Sequence, residues 1–263
     1  MNPIGIVESL WRYPIKSMRG NEIPEAFLGF SGVYGDRCYA IQDSAARIGF
    51  PYLNASRQPR MLGYQPRFRS SVRAAHPPNL MEAMSIPPGV TPGNASPNDL
   101  DLDVVTPSGE VLPVDDPALL ELLADGLRGE HSLSLIRSDR ALTDCRPVSL
   151  ISLQSIRQIG DEFGVTLDKL RFRANIYLDL AAGEGFCEDT FVGRKLRIGA
   201  DTMIMVLERD PRCKMISLDP ANGAHDPDIL RSVAREHEAN AGVYCAVLVE
   251  GIVRTGDAVA VVD

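Results

Sequence analysis

The sequence has little of what defines several common classes of protein. It has no apolar run near the ~18 residues that a membrane-spanning helix needs, and its first residues lack the basic and apolar segments of a secretion signal. Its formal net charge is -8, the wrong sign for a general nucleic-acid binder, which needs a basic surface. We therefore expect a soluble, cytoplasmic protein that binds neither membranes nor nucleic acid.

Cysteine is also scarce and shows no pairing pattern. The five cysteines are odd in number, widely spaced and form no Cys-x-x-Cys pair, which favours reduced thiols over a disulfide scaffold or a zinc site. The four histidines show no metal-ligand spacing. A P-loop, a GxGxxG turn, a GxSxG elbow and an HExxH helix are all missing, so ATP hydrolysis, Rossmann redox chemistry, serine hydrolysis and zinc proteolysis have no support in the sequence.

Short apolar or alternating segments dominate what is present. Together with three helices that begin near Asp116, Ser152 and Asp226, they predict a mainly β, α+β chain with a barrel-like core. Residues 74–98 are rich in proline and have no sustained period, which predicts a loop rather than a core element. Strands are predicted at 4–10, 34–41, 100–105, 111–114, 131–136, 195–198, 203–207, 243–250 and 258–262.

One cysteine stands out by its surroundings. Cys213 lies between Arg212 and Lys214, after the pair Asp210-Pro211, which favours a turn, and before Met215 to Leu218, which read as a short apolar strand. Basic neighbours favour the thiolate, the form that binds metals and attacks sulfur. Cys213 is therefore a candidate ligand or nucleophile, and the alternative is a buried small hydrophobic residue.

Two further segments carry unusual polar groups. The loop from Tyr13 to Gly20 contains Lys16, Ser17 and Arg19, whose side chains suit binding of an oxyanion. Arg37, near the start of the next predicted strand, could join the same site. The segment RFRANI reads as the start of a strand with Arg171, Arg173 and Asn175 on one face. Such groups are costly to bury without a partner that accepts many hydrogen bonds. A bound polyanion would be such a partner, a solvated loop or local carboxylates being the alternatives.

These motifs resemble those of one family in the same order. YPIKSMRG and DRCYAIQD resemble the N-terminal β-barrel domain of the MOSC family, and PVSLISLQSI, RFRANI, EDTFVGRKLRIG, RCKMISLDPANG and GDAVAVV resemble the MOSC domain, named for the C-terminal part of molybdenum cofactor sulfurase. The resemblance implies a MOSC-type β-barrel core, an N-terminal barrel domain at residues 1–115 and a MOSC domain at residues 116–263.

The resemblance also implies a cofactor and its contacts. In relatives such as the mitochondrial amidoxime-reducing component, the cysteine of the RC motif binds molybdenum, which falls on Cys213. The implied contacts of the molybdenum cofactor, a molybdopterin, are Lys16, Ser17, Arg37, Arg173 and Asn175, and Ser152, Arg171 and Arg212 are further candidate contacts. Asp189 and Asp210 are candidate catalytic groups for proton transfer. Pyridoxal phosphate is not expected.

Three functions follow from the resemblance. The first is an oxidoreductase that reduces N-hydroxylated small molecules. Since the sequence contains no iron–sulfur cysteine cluster, its electrons are expected from a separate protein, ferredoxin-like or cytochrome b5/flavin reductase-like. The second is a sulfur carrier with a persulfide on Cys213, and the third is a non-catalytic carrier of the cofactor.

Overall fold

The computed structural model describes residues 2–85, 99–138, 140–181 and 183–262. Its strands are β1 (Gly5–Arg12), β2 (Asn21–Ile23), β3 (Glu25–Gly29), β4 (Gly32–Val33), β5 (Tyr39–Asp43), β6 (Gln65–Phe68), β7 (Leu102–Val105), β8 (Val111–Pro113), β9 (Leu133–Arg137), β10 (Val148–Ser152), β11 (Ile176–Leu180), β12 (Lys195–Ile198), β13 (Thr202–Pro211), β14 (Asn240–Val249), β15 (Gly251–Arg254) and β16 (Ala258–Val262). Its α-helices are α1 (Leu80–Ser85), α2 (Pro117–Ala124), α3 (Leu153–Phe163) and α4 (Pro227–His237).

Seven strands close into a barrel. Their order is β11, β10, β14, β13, β12, β16 and β1, and β1 pairs back to β11. The pair β10–β11 is parallel, and the other pairs around the ring are antiparallel. Buried apolar side chains such as Val7, Leu178 and Ile204 form its core. The barrel confirms the predicted mainly β fold class.

The N-terminal part adds smaller sheets around a second core. Strands β6, β7 and β8 form one sheet, β5 pairs with β9, and β3 lies between β4 and β15. Buried side chains including Ile41, Met61, Leu102 and Leu119 fill this core. Strand β1 belongs to the barrel and β3 pairs with β15, so the two predicted domains share sheets, and their limits stay a prediction.

The three predicted helices begin at the expected caps. The carboxylates of Asp116 and Asp226 and the hydroxyl of Ser152 accept backbone N–H groups of the first turns of α2, α4 and α3. Helix α3 ends at Gly164, whose φ of 78° is left-handed. Helices α3 and α4 pack over a third apolar cluster that includes Ile156 and Val233. No helix in the described ranges is long and apolar enough to cross a bilayer.

Three local predictions need correction. The strand expected at 34–41 begins only at Tyr39, because Asp36 closes a turn with the backbone of Val33 and its carboxylate accepts the N–H of Tyr13 at 2.7 Å. Helix α1 lies inside the loop predicted at 74–98, of which residues 86–98 fall outside the described residues. Asp210 and Pro211 end strand β13 and do not form a turn, since Pro211 pairs with Asn240.

Candidate functional site

Residues from both parts of the chain line a cleft of about 450 Å³. The described residues that line it include six cationic side chains and two carboxylates, so the charge of this lining is opposite to that of the whole protein. The cations are Lys16, Arg37, Arg146, Arg173, Arg212 and Lys214, and the acids are Asp144 and Asp210.

The loop after β1 places Lys16 and Ser17 in the cleft, as the sequence predicts. The N–H of Lys16 bonds to the carbonyl of Tyr39 at 2.8 Å, and Ser17 has a left-handed φ of 68°. The ammonium of Lys16 donates to the carbonyl of Leu142 at 3.0 Å and to the carboxylate of Asp144. Burial lowers the pKa of Lys16, although Asp144 opposes this shift.

Arg37 and Arg173 both contact the ring of Tyr13. Their guanidinium carbons lie 4.9 Å and 4.3 Å from the ring centroid. Arg37 pairs with the carboxylate of Asp36 and also donates to the backbone carbonyl of Arg173 at 3.1 Å. Burial lowers the pKa of Arg173 to about 10, and its Nη2 is buried with no hydrogen-bond partner in the described part of the chain.

Left-handed backbone is concentrated at this cleft. Ser17, Arg37 and Arg173 have φ values of 68°, 45° and 52°, which side chains other than glycine adopt only at a cost. Three of the six non-glycine residues with positive φ in the described ranges therefore line one cleft. Backbone strain of this kind clusters at functional sites.

The segment RFRANI does not form the expected strand face. Lys169–Arg171 form a 3-10 turn capped by Asp168, Arg173 is left-handed, and β11 begins only at Ile176. The side chain of Arg171 consequently leaves the cleft and donates to Asp219 at 3.0 Å. The prediction that Arg171 and Arg173 lie on one face of a strand is therefore wrong, because the segment does not have the alternating backbone of a strand.

Asn175 lines the cleft, but its side-chain amide already forms hydrogen bonds within the protein. Its Oδ1 accepts the N–H and the hydroxyl of Ser149, both at 3.2 Å, and its Nδ2 donates to the carbonyl of Trp11 at 3.3 Å. The amide therefore fixes β10 and β1 next to the start of β11. It can position the cleft wall without giving up these bonds.

Arg212 and Asp210 form a buried ion pair in the cleft. Arg212 also donates to the carbonyl of Phe172 at 2.6 Å, while its Nε is buried and unpartnered among the described residues. Burial raises the pKa of Asp210, against the opposing effect of Arg212. The hydroxyl of Tyr244 also opposes this rise in the pKa of Asp210.

Cys213 lies exposed on the wall of the cleft, two residues after the end of β13. The expected strand from Met215 to Leu218 is wrong, because Lys214–Ser217 form a 3-10 turn in which the N–H of Ile216 bonds to the carbonyl of Cys213 at 3.2 Å. The charges of its neighbours are engaged elsewhere, since Arg212 pairs with Asp210 and Lys214 donates to the carbonyl of Ser56 at 3.0 Å.

Besides Arg171, two more predicted site residues lie away from the cleft. The hydroxyl of Ser152 donates to the carboxylate of Glu188 at 2.7 Å, at the start of α3. Asp189 lines a different cavity with Arg209 and His237. Burial and the nearby charge of Glu188 raise the pKa of Asp189 to about 6. Neither residue lines the cleft that contains Cys213.

Several residues that shape the cleft were not predicted from the sequence, and four of them stand out. Cys145 is a second exposed thiol on its wall. Asp144 pairs with Lys16, Tyr244 lowers the pKa of Asp210, and the ring of Tyr13 contacts two guanidiniums. The signal for Tyr13 was its place in the YPIKS motif, but the other three depend on chain segments that meet only after folding.

Two protein-family models match this chain. The family model described as the MOSC domain matches residues 137–260, and the MOSC N-terminal beta barrel domain matches residues 4–94. The chain belongs to the MOSC family. This result confirms the resemblance seen in the sequence motifs, and proteins of this family are associated with molybdenum cofactor binding.

Solved structures show more distant similarity. YiiM from Geobacillus stearothermophilus is 18% identical, with 45% of this chain and 55% of that chain covered and a TM-score of 0.36, so the match spans about half of the YiiM chain. The YuaD protein from Bacillus subtilis is 12% identical, with 98% and 94% covered and a TM-score of 0.46. Among curated proteins, none matches this chain.

Proposed function

We propose that this MOSC protein binds the molybdenum cofactor in the cleft and acts as an oxidoreductase that reduces N-hydroxylated or N-oxygenated small molecules. The observation that carries the proposal is an exposed thiol, Cys213, on the wall of a cleft lined by six cationic side chains. A thiolate is a soft ligand suited to molybdenum, and the cations suit an anionic cofactor.

The residues of the cleft fit such a cofactor. Arg212 Nε is a buried donor without a partner in the described ranges, and a ligand oxygen in the cleft would satisfy it. Lys16, Ser17 and Arg37 would hold its phosphate, and Cys213 would bind the metal. When bound, the cofactor would supply a molybdenum centre for two-electron transfer of an oxygen atom from the substrate.

The remaining residues position these groups. Asp210 holds the guanidinium of Arg212, and its raised pKa makes it the candidate in the cleft for moving a proton. The separate cavity of Asp189 argues against a direct role for that residue in the cleft. A separate ferredoxin-like or cytochrome b5/flavin reductase-like protein is proposed to supply the electrons.

Two cysteine variants test the proposal because both thiols are exposed on the same cleft. Protein purified from a host that makes the cofactor should contain near-stoichiometric molybdenum and pterin. Cys213→Ser should lose most of the bound molybdenum, or most of the activity for reducing an N-hydroxylated substrate with an artificial electron donor, while its thermal unfolding temperature stays unchanged. Cys145→Ser should retain both, and the reverse pattern would refute the assignment of the metal ligand.

The two exposed thiols also favour a second candidate, a sulfur carrier in which Cys213 holds a persulfide. Folded protein without molybdenum or pterin, but with cyanide-labile sulfur that Cys213→Ser removes, would support this function. Full cofactor content without turnover of any substrate would instead support a non-catalytic carrier.

A further inference from the structure

A second, smaller cavity of about 140 Å³ shares Arg173 with the cleft. Its apolar lining comes from Trp11, Leu62, Leu170 and Pro220. None of these four residues lines the larger cleft. A cavity of roughly 150 Å³ is large enough to take up benzene, so this one has room for a single six-membered ring.

The polar groups of this cavity favour an anion. Arg19 lies beside the apolar wall, and no hydrogen bond or ion pair joins its guanidinium to another described residue. Arg173 contributes a second guanidinium, whose Nη2 is buried and unpartnered in the described part of the chain. Asp168 is the one carboxylate among the described lining residues, and its Oδ1 accepts the N–H of Leu170 at 2.8 Å. Two positive charges therefore face one negative charge.

Arg19 is held at this cavity by the shape of its loop. A Cβ on the adjacent Gly20 would lie 2.5 Å from the ring of Tyr13 and 3.2 Å from the ring of Trp11. Glycine thus allows the backbone to lie directly against both rings. The loop that supplies Lys16 to the larger cleft supplies Arg19 to this second cavity.

We infer that this cavity binds a small planar aromatic carboxylate, with the ring among the apolar side chains and the carboxylate between Arg19 and Arg173. A guanidinium fork matches a carboxylate in geometry and charge. The apolar wall gives the ring a place that inorganic phosphate, which has no apolar part, would not use. The inference does not depend on the proposed oxidoreductase function.

Trp11 makes the test direct because it is the only tryptophan in the sequence. Benzoate should change the fluorescence of cofactor-free protein in a saturable manner and shift the single indole N–H signal in NMR spectra. Benzamide, which has the same shape without the charge, should bind at least about tenfold more weakly. Equal binding of benzamide, or no saturable change with benzoate, would overturn the inference.

Two variants separate this cavity from the larger cleft. Arg19→Gln should weaken benzoate binding by about tenfold or more because it removes one charged donor, whereas Arg67→Gln, at an exposed position on β6, should leave it unchanged. Arg19→Gln should also retain the molybdenum and pterin content of the parent protein. Loss of pterin in this variant, or unchanged benzoate affinity, would show that Arg19 does not serve a separate site.

Discussion

Substitution of Glu188 tests whether the residues at the start of α3 stabilise the fold or contribute to cofactor binding. Its carboxylate is fully buried and accepts the N–H of Ser152 at 3.0 Å, the hydroxyl of Ser152 at 2.7 Å and the hydroxyl of Ser155 at 2.6 Å. Glu188→Ala leaves the N–H of Ser152 without this acceptor, while the two hydroxyls keep their mutual bond of 2.9 Å. A buried unpaired donor costs about 1–3 kcal/mol, and each hydrogen bond to a charged group contributes about 1.5–3 kcal/mol.

We therefore expect Glu188→Ala to lower the free energy of unfolding by about 3 kcal/mol, because solvation of the carboxylate in the unfolded chain offsets part of the gross loss. Glu188→Gln keeps an acceptor for Ser152 and should cost about 1 kcal/mol. Urea denaturation followed by circular dichroism measures both, and Glu184→Ala, at an exposed position in the same segment, should stay within about 0.5 kcal/mol of the parent.

The same variants test the role of Ser152. If Glu188 and Ser152 only fix the start of α3, folded Glu188→Gln protein should retain the molybdenum and pterin of the parent. A loss of cofactor from folded protein would refute this reasoning and return Ser152 to the candidate site. A loss of less than about 1 kcal/mol in the free energy of unfolding of Glu188→Ala would also refute it, since the buried hydrogen bonds would then contribute little.

Two further predictions concern stability. The pKa of Asp189 is raised to about 6 in the folded protein, so its ionisation destabilises the fold as the pH rises through this value. The free energy of unfolding of Asp189→Asn, relative to that of the parent, should therefore increase as the pH rises from 4 to 7, about the span of the two pKa values. The same difference between the two proteins at both pH values in urea titrations would contradict this. Asp226→Ala removes the cap of α4 and should lower the free energy of unfolding by about 1 kcal/mol in thermal melts. The substitution Asp201→Ala, at an exposed position, should have little effect in these melts.

The sequence predicted the helices well because their ends depend on local chemistry. Asp116, Ser152 and Asp226 each cap a helix through a side-chain oxygen within the same turn. Most strands of the barrel were also predicted, because alternation such as that of β12 follows directly from one buried face, whereas β10 was not predicted and β13 extends four residues beyond its predicted end.

The cleft was harder to predict because its shape depends on rare backbone conformations. Nothing in the residue type of Arg173 signals a left-handed φ of 52°, and that turn separates Arg171 from the cleft. Met215 to Leu218 has the composition of a strand, but local bonds to Cys213 and Met215 form a 3-10 turn there instead. Pairings such as Lys16 with Asp144 join distant segments and leave no periodic signal.

The double pairing of β1 has a consequence for how the protein is made. This strand pairs with both β11 and β16, so that Gly5 lies opposite Leu180 on one side and Val259 on the other. A ribosome synthesises β1 early and β16 late, and loop-closure entropy opposes such distant pairings. The nascent chain must therefore keep an apolar strand without its partners through most of translation, and closure of the barrel is expected to be the slow, late step of folding.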